Sequence, residues 1–156
     1  MRFSGNIVAK LDAKGRVALP SLFRKTLQEG EIDFMLRRDI YQPCLVVYPL
    51  ASWESEVESL RQRINRWNRE EAMVFRQFLA DAEPITLDAA GRLLLSKKWL
   101  KMAEIERDVR FIGADDRIEI WNHETAAQSF LPNPQFGDTL ERIMSRQETT
   151  IPQNEP

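Results

Sequence analysis

Cysteine and histidine are almost missing from this chain of 156 residues, which holds one of each, Cys44 and His123. A single thiol cannot close an intramolecular disulfide, so no disulfide framework supports the core, and a lone histidine leaves a zinc site short of its usual ligands. Metal catalysis and histidine-based triads are therefore not expected, and no nucleophile, base and orienting group stand in a recognisable motif. No catalytic residue, metal ligand or cofactor is assigned. No run of 18 apolar residues occurs, and the first residues lack the apolar core of a secretory signal, so the chain reads as cytoplasmic. Cys44 sits in the apolar run Cys44-Leu45-Val46-Val47-Tyr48 and reads as a buried structural thiol.

Net charge is also small, at -2, which argues against a protein that coats nucleic acid indiscriminately. Its distribution is uneven. Residues 1 to 25 hold Arg2, Lys10, Lys14, Arg16, Arg24 and Lys25 against the single acid Asp12, a local balance of +5 that leaves -7 for the other 131 residues. With 43% hydrophobic and 29% charged residues, what remains is an ordinary globular composition.

An internal repeat organises the chain. Leu11-Asp12-Ala13-Lys14-Gly15-Arg16-Val17-Ala18-Leu19 returns 76 positions later as Leu87-Asp88-Ala89-Ala90-Gly91-Arg92-Leu93-Leu94-Leu95, and Phe23 matches Trp99 at the same offset. Once a three-residue insertion near Tyr41-Gln42-Pro43 is allowed, Cys44 to Tyr48 matches Arg117 to Trp121. A module of about 50 residues hides only roughly 60% of its unfolded surface, so two copies are expected to lean on each other.

Each copy reads strand, loop, strand, helix, strand, strand. Asn6 to Leu11 alternates like a half-exposed strand, and Asp-x-x-Gly then bends the chain: the aspartate side chain bonds backbone N–H groups ahead of it and Gly15 tolerates positive φ. Val17-Ala18-Leu19 leaves as the second strand. Pro20 opens a helix with apolar Leu22, Phe23 and Leu27 that Gly30 ends, while Ser96 serves as the N-cap in the second copy. Strands are predicted over Ile32 to Leu36, Cys44 to Tyr48, Val109 to Ile112 and Arg117 to Trp121.

Between the copies, Trp53, Val57, Leu60, Ile64 and Trp67, then Val74, Phe75, Phe78 and Leu79, recur at helical spacing. They predict one long helix, or two joined near Asn68, with a seam that packs on a barrel or on the same helix of another subunit. Past Leu131, one helix is predicted around Thr139 to Arg146, and Thr149 to Pro156 reads as disordered.

The repeated loop carries the chemistry. Lys14 and Arg16 flank Gly15 at a hairpin tip, where bare backbone can approach a phosphate and two cations can reach around it; arginine can also contact guanine O6 and N7. Lys10 and Arg24, and less directly Lys25, Arg37 and Arg38, are candidates for phosphate contacts that fix register. The plain alternative is that Asp12 and Arg16, like Asp88 and Arg92, form an ion pair that only stiffens the loop. Because Lys14 becomes Ala90, the first loop is the better DNA candidate. Asp12, Asp88, Gly91 and Arg92 read as loop-structural.

Leu-Asp-x-Lys-Gly-Arg-x-x-x-Pro over Leu11 to Pro20, the second Asp-x-x-Gly-Arg at Asp88 to Arg92 and the duplication together resemble the MraZ family of bacterial transcriptional regulators, over roughly residues 3 to 126. The opening Met1 to Gly5 and the helix entry Ser96-Lys97-Lys98 depart from the family pattern. The resemblance implies an α+β fold of two AbrB-like swapped-hairpin modules (SpoVT-AbrB type) forming a pseudo-twofold β-barrel: module 1 over 7–54, a helical connector over 55–82, module 2 over 83–126, and a partly disordered C-terminal segment over 127–156. It also implies a ring-shaped homo-oligomer associated with the nucleoid, whose loops face double-stranded DNA at tandem promoter repeats of the division and cell-wall gene cluster, including its own gene. The rival reading is an antitoxin-like or scaffold module that binds a protein partner.

Overall fold

Punctuation in the repeat fixes where each element starts and stops. The computed structural model describes residues 2–146. The first repeat runs β1 (Asn6–Lys10), β2 (Arg16–Ala18), α1 (Ser21–Arg24), β3 (Asp33–Arg38) and β4 (Leu45–Pro49); α2 (Leu50–Arg63) and α3 (Arg69–Ala80) follow; the second repeat runs β5 (Glu83–Thr86), β6 (Arg92–Leu94), α4 (Lys97–Met102), β7 (Asp108–Gly113) and β8 (Ile118–Asn122). The predicted strands shift by only one or two residues at their ends. Residues up to Ala126 form one compact α+β unit, and the residues after it form another.

All strand pairs are antiparallel. Six strands lie in the order β1-β7-β8-β4-β3-β5, and β2 pairs with β6 in a separate two-stranded ribbon. Each repeat contributes its own hairpin, β3–β4 or β7–β8, and sends its first strand to the other: β1 pairs with β7, setting Lys10 opposite Asp108, and β5 pairs with β3, setting Ile85 opposite Phe34. In the ribbon, Arg16 faces Leu94, Val17 faces Leu93 and Ala18 faces Arg92, a register that the 76-residue offset maps onto itself. Neither repeat completes its pairing alone, which is the structural answer to the small-module problem.

The large sheet is covered on both faces, and β4 accordingly reads as an unbroken buried apolar run. Leu45 and Val47 turn to one core, with Phe3, Val17, Phe23, Phe34, Leu93, Trp99, Phe111 and Ile120. Cys44, Val46 and Tyr48 turn to the other, with Trp53, Val57, Phe75 and Trp121. The ribbon is therefore carried by the first core, which grips Val17 and Leu93 from beneath.

The connector is two helices. Chain direction changes at Ile64, whose backbone is extended, and Asn68 restarts the helix by accepting the Glu71 N–H at 3.1 Å. Glu71 reaches back to the Asn65 N–H at 3.1 Å, so both asparagines and the acid hold the break. Trp67 is 97% exposed in this break and takes no part in the predicted seam; Val74 and Leu79 are also exposed. The packed seam consists of Trp53, Val57 and Phe75 with Leu60, Ile64 and Phe78 against them. Trp53 stacks on Phe78 with centroids 5.3 Å apart. Arg37, proposed from sequence as a phosphate contact, is instead 6% exposed, with its guanidinium carbon 4.2 Å from the Phe78 ring centroid.

Two helix entries differ from expectation. Pro20 stands at the N-cap of α1, which ends at Arg24 well before Gly30, and Ser96 occupies the N-cap of α4 but its side chain makes no cap hydrogen bond. In the second unit, α5 (Gln135–Met144) begins four residues before the predicted helix. It bears Phe136, Leu140, Ile143 and Met144 on one stripe, all exposed. The predicted disorder of Thr149 to Pro156 lies outside the described residues.

Candidate nucleic-acid interface

One carboxylate ties each loop. Asp12 Oδ1 accepts the backbone N–H of Lys14 and of Arg16, both at 2.9 Å, and Oδ2 accepts Arg16 Nε at 2.6 Å. Backbone bonds close the turn, from Asp12 N to the Arg16 carbonyl and from Gly15 N to the Asp12 carbonyl. The second loop repeats every bond: Asp88 Oδ1 accepts from Ala90 N and Arg92 N at 2.9 Å, and Oδ2 accepts Arg92 Nε at 2.9 Å. The ion pair foreseen as a mere stiffener is thus present in both loops. Because it engages only Nε, Nη1 and Nη2 of Arg16 and Arg92 donate to no protein acceptor among the described residues. These are the atoms a guanine edge or a phosphate would take.

The ribbon register sets where the two arginines stand. Partners and residues two positions on share a face, so Arg16, Ala18, Arg92 and Leu94 lie on one side while Val17 and Leu93 are buried on the other. Diagonal neighbours of this kind are roughly 7–8 Å apart. Lys14 is exposed at the tip of the first loop and Lys10 is exposed at the end of β1, two residues before Asp12. Arg24 is exposed on α1, but the fold lays it against the other loop: a Cβ added to Gly91 would come within 2.8 Å of Arg24 Nη1. The loop that lost its lysine thereby gains an arginine from the first repeat.

Both loop glycines have positive φ, 84° at Gly15 and 75° at Gly91. Their carbonyls accept backbone N–H groups across the pseudo-dyad, Leu95 onto Gly15 at 2.9 Å and Leu19 onto Gly91 at 3.0 Å. Loop shape and the joining of the two repeats are consequently one feature.

The Arg16 backbone N–H above all, with its side chain and the Lys14 N–H adding to it, holds the Asp12 carboxyl below its ordinary value of 3.8 against the opposing effect of desolvation; Asp88 is lowered in the same way by the matching donors Arg92 and Ala90. A folded-state value below the unfolded one stabilises the fold above the unfolded value, and that stabilisation is lost as pH falls through the folded value. Carboxyl NMR titration should therefore place both midpoints below 3.8, with the Lys14 and Arg16 amide signals flat between about pH 5 and 8. A midpoint at or above the ordinary aspartate value would show that the clamp does not persist in solution.

Sequence reasoning missed one cluster: Asp39, Cys44 and Glu119 bring ligand-type atoms within 4.8 Å of one another. Glu119 comes from the other repeat, and only the β4–β8 pairing brings it near. Burial, with the two carboxylates, pushes the Cys44 thiol up, so it stays protonated as expected of a structural cysteine. No helix among the described residues is long and apolar enough to cross a membrane.

The family model described as "MraZ protein, putative antitoxin-like" matches residues 3–77 and 78–128, one match for each repeat. A protein of Phocaeicola vulgatus named "Transcriptional regulator MraZ" is 53% identical over 145 residues, covering 92% of this chain and 94% of the relative. Proteins of the same name from Bacteroides fragilis and Pectobacterium carotovorum are 48% and 33% identical, over 96% and 94% of this chain and 96% and 92% of their own lengths.

Proposed function

Since this chain belongs to the MraZ family, we propose that it is a sequence-specific DNA-binding transcriptional regulator and not an enzyme, reading double-stranded DNA with the outer face of the β2–β6 ribbon. One observation carries this reading: two arginines, pinned through Nε and with both Nη groups unused, stand on a single exposed ribbon face. A guanidinium held by one edge is already oriented, so less side-chain freedom is lost on contact. Arg16 reads a base edge, Lys14 holds the adjacent phosphate, and Lys10 and Arg24 fix register; Gly15, read from sequence as a backbone contact, is buried with its N–H and carbonyl both bonded within the fold, and so shapes the loop. Asp12 and Asp88 position the arginines and, being anions, do not themselves approach phosphate. Gly91 and Arg92 give the second loop the same frame, with Arg24 in place of the missing lysine.

The exchanged pairings β1–β7 and β5–β3 support the finer fold reading, two AbrB-like swapped-hairpin modules in a pseudo-twofold barrel over 7–54 and 83–126, with 55–82 as connector and 127–156 as a separate segment. One ribbon offers few contacts. Useful affinity then comes from a ring-shaped homo-oligomer engaging tandem promoter repeats at once, in the cytoplasm and at the nucleoid. The family suggests the division and cell-wall gene cluster, the regulator's own gene included, as its target. A second reading, an antitoxin-like protein-interaction module, draws on the exposed stripe of α5.

The test is a gel-shift titration at several salt concentrations, comparing duplex from upstream of the protein's own gene with a shuffled duplex. Preference for the natural duplex, with affinity falling steeply as salt rises, is expected. Equal affinity for both duplexes, together with recovery of one stoichiometric protein partner, would favour the second reading.

A further inference from the structure

We infer that Leu94 reads the C5 methyl group of a thymine, in the base pair next to the one that Arg16 contacts. This rests on the proposed docking of the β2–β6 ribbon face on DNA and names one of the bases that this face selects. Exposure of a single leucine would by itself say nothing, since lone apolar side chains are common on protein surfaces. Position is what distinguishes Leu94: it is the cross-strand partner of Arg16, and direct partners hold their Cβ atoms roughly 4.5–5.5 Å apart.

Alternation along β6 turns Leu94 outward. Leu93 and Leu95, on either side of it, are 0% and 1% exposed and belong to the first core, whereas Leu94 is 58% exposed. Arg16 does not cover it, because the arginine side chain is held to Asp12 through Nε at 2.6 Å. A two-stranded ribbon fits the major groove, where the four bases present hydrogen-bonding edges and one methyl group, that of thymine. A guanidinium and a leucine side by side match those two kinds of group. Base pairs stack about 3.4 Å apart, so side chains separated by one cross-strand spacing reach neighbouring pairs.

The 76-residue offset that carries Arg16 onto Arg92 carries Ala18 onto Leu94. Ala18 faces Arg92 across the ribbon, and its lone Cβ is too short to follow the arginine to a base. The two halves of the ribbon are thus unequal: Arg16 with Leu94 reads two adjacent base pairs, and Arg92 with Ala18 reads one. A ribbon with equal halves could lie on DNA in either direction. Leu94 removes that ambiguity, so that each subunit meets its DNA repeat in one orientation.

The experiment is a uracil scan. Each thymine of a duplex from upstream of the protein's own gene is replaced in turn by uracil, which loses the methyl group and keeps its base pairing, and binding by the full chain and by Leu94→Ala is measured by fluorescence anisotropy. Loss of the methyl group should weaken binding by the full chain about 4-fold, at one thymine per bound ribbon, and Leu94→Ala should bind the thymine and uracil duplexes alike. Should Leu94→Ala fail to fold, Leu94→Gln, which nearly keeps the length of the side chain, takes its place. A natural duplex still preferred over a shuffled one but without a methyl-sensitive thymine, or a methyl sensitivity that Leu94→Ala retains, would overturn this assignment and leave DNA reading by Arg16 standing. Loss of the oligomer in Leu94→Ala, with every uracil duplex bound normally by the unaltered chain, would instead place Leu94 in a subunit contact. No preference of the unaltered chain for the natural duplex would overturn both the assignment and the reading beneath it.

Discussion

Arg16→Ala is expected to abolish specific duplex binding while leaving the fold and oligomer unchanged. A good bidentate contact to a base is worth about 1–3 kcal/mol, and loops engaged together multiply their losses. Two linked loops already imply roughly 30-fold to 10⁴-fold weaker binding. The fold should tolerate the change, because the Arg16–Asp12 pair is solvent-exposed and Asp12 Oδ1 keeps both backbone N–H bonds without it. Arg92→Ala is expected to weaken binding less, since Ala90 leaves the second loop without the lysine that accompanies Arg16. Lys14→Ala should lower affinity by a similar factor for specific and shuffled duplexes and flatten the salt dependence by about one unit of slope. Gel-shift and size-exclusion measurements on the same preparations check all three. Unchanged affinity in Arg16→Ala, with an intact oligomer, would remove Arg16 from the interface and leave the clamp as loop scaffolding.

The second repeat was legible in the sequence as a motif but not as a position. Local signals placed the strands, the Asp-x-x-Gly turns and the helix restart at Asn68, because each depends on residues within a turn or two of one another. Spacing along the chain could not show that β1 leaves its own module to pair with β7, or that β2 and β6 share a ribbon and so set Arg16 and Arg92 on one face. Those are pairings across 74 or more positions. The same limit explains Arg24, read as a phosphate contact without a place in either loop and found against Gly91 of the second. Arg37 misled for a different reason. In a strand with both faces covered, a cation can lie inside if an aromatic ring and a helix end receive it, and Phe78 is 41 positions away. Trp67 misled because helical spacing continues through a break that only Asn65, Asn68 and Glu71 reveal.

Gly15→Ala should be among the most damaging single-methyl changes in the compact unit, and far worse than Gly91→Ala. At φ 84° an alanine meets the left-handed penalty of about 1–2 kcal/mol, which the two sites share, with Gly91 at 75°. They differ in what the new Cβ would strike. At Gly15 it would lie 2.6 Å from the Leu95 carbonyl oxygen, a backbone atom whose own residue donates its N–H to the Gly15 carbonyl at 2.9 Å. Relief requires the ribbon to open, and overpacking of this kind adds about 1–3 kcal/mol. At Gly91 the obstacle is Arg24 Nη1 at 2.8 Å, the far end of an exposed side chain that can swing away. Gly15→Ala should therefore cost about 2–5 kcal/mol in total and Gly91→Ala about 1–2 kcal/mol, the former a large share of the roughly 5–15 kcal/mol that holds a domain folded. Chemical denaturation should show the gap as a much lower midpoint for Gly15→Ala at unchanged slope. Equal losses at the two sites would mean that the ribbon yields as easily as an arginine side chain, and the rigid frame on which base reading by Arg16 depends would be gone.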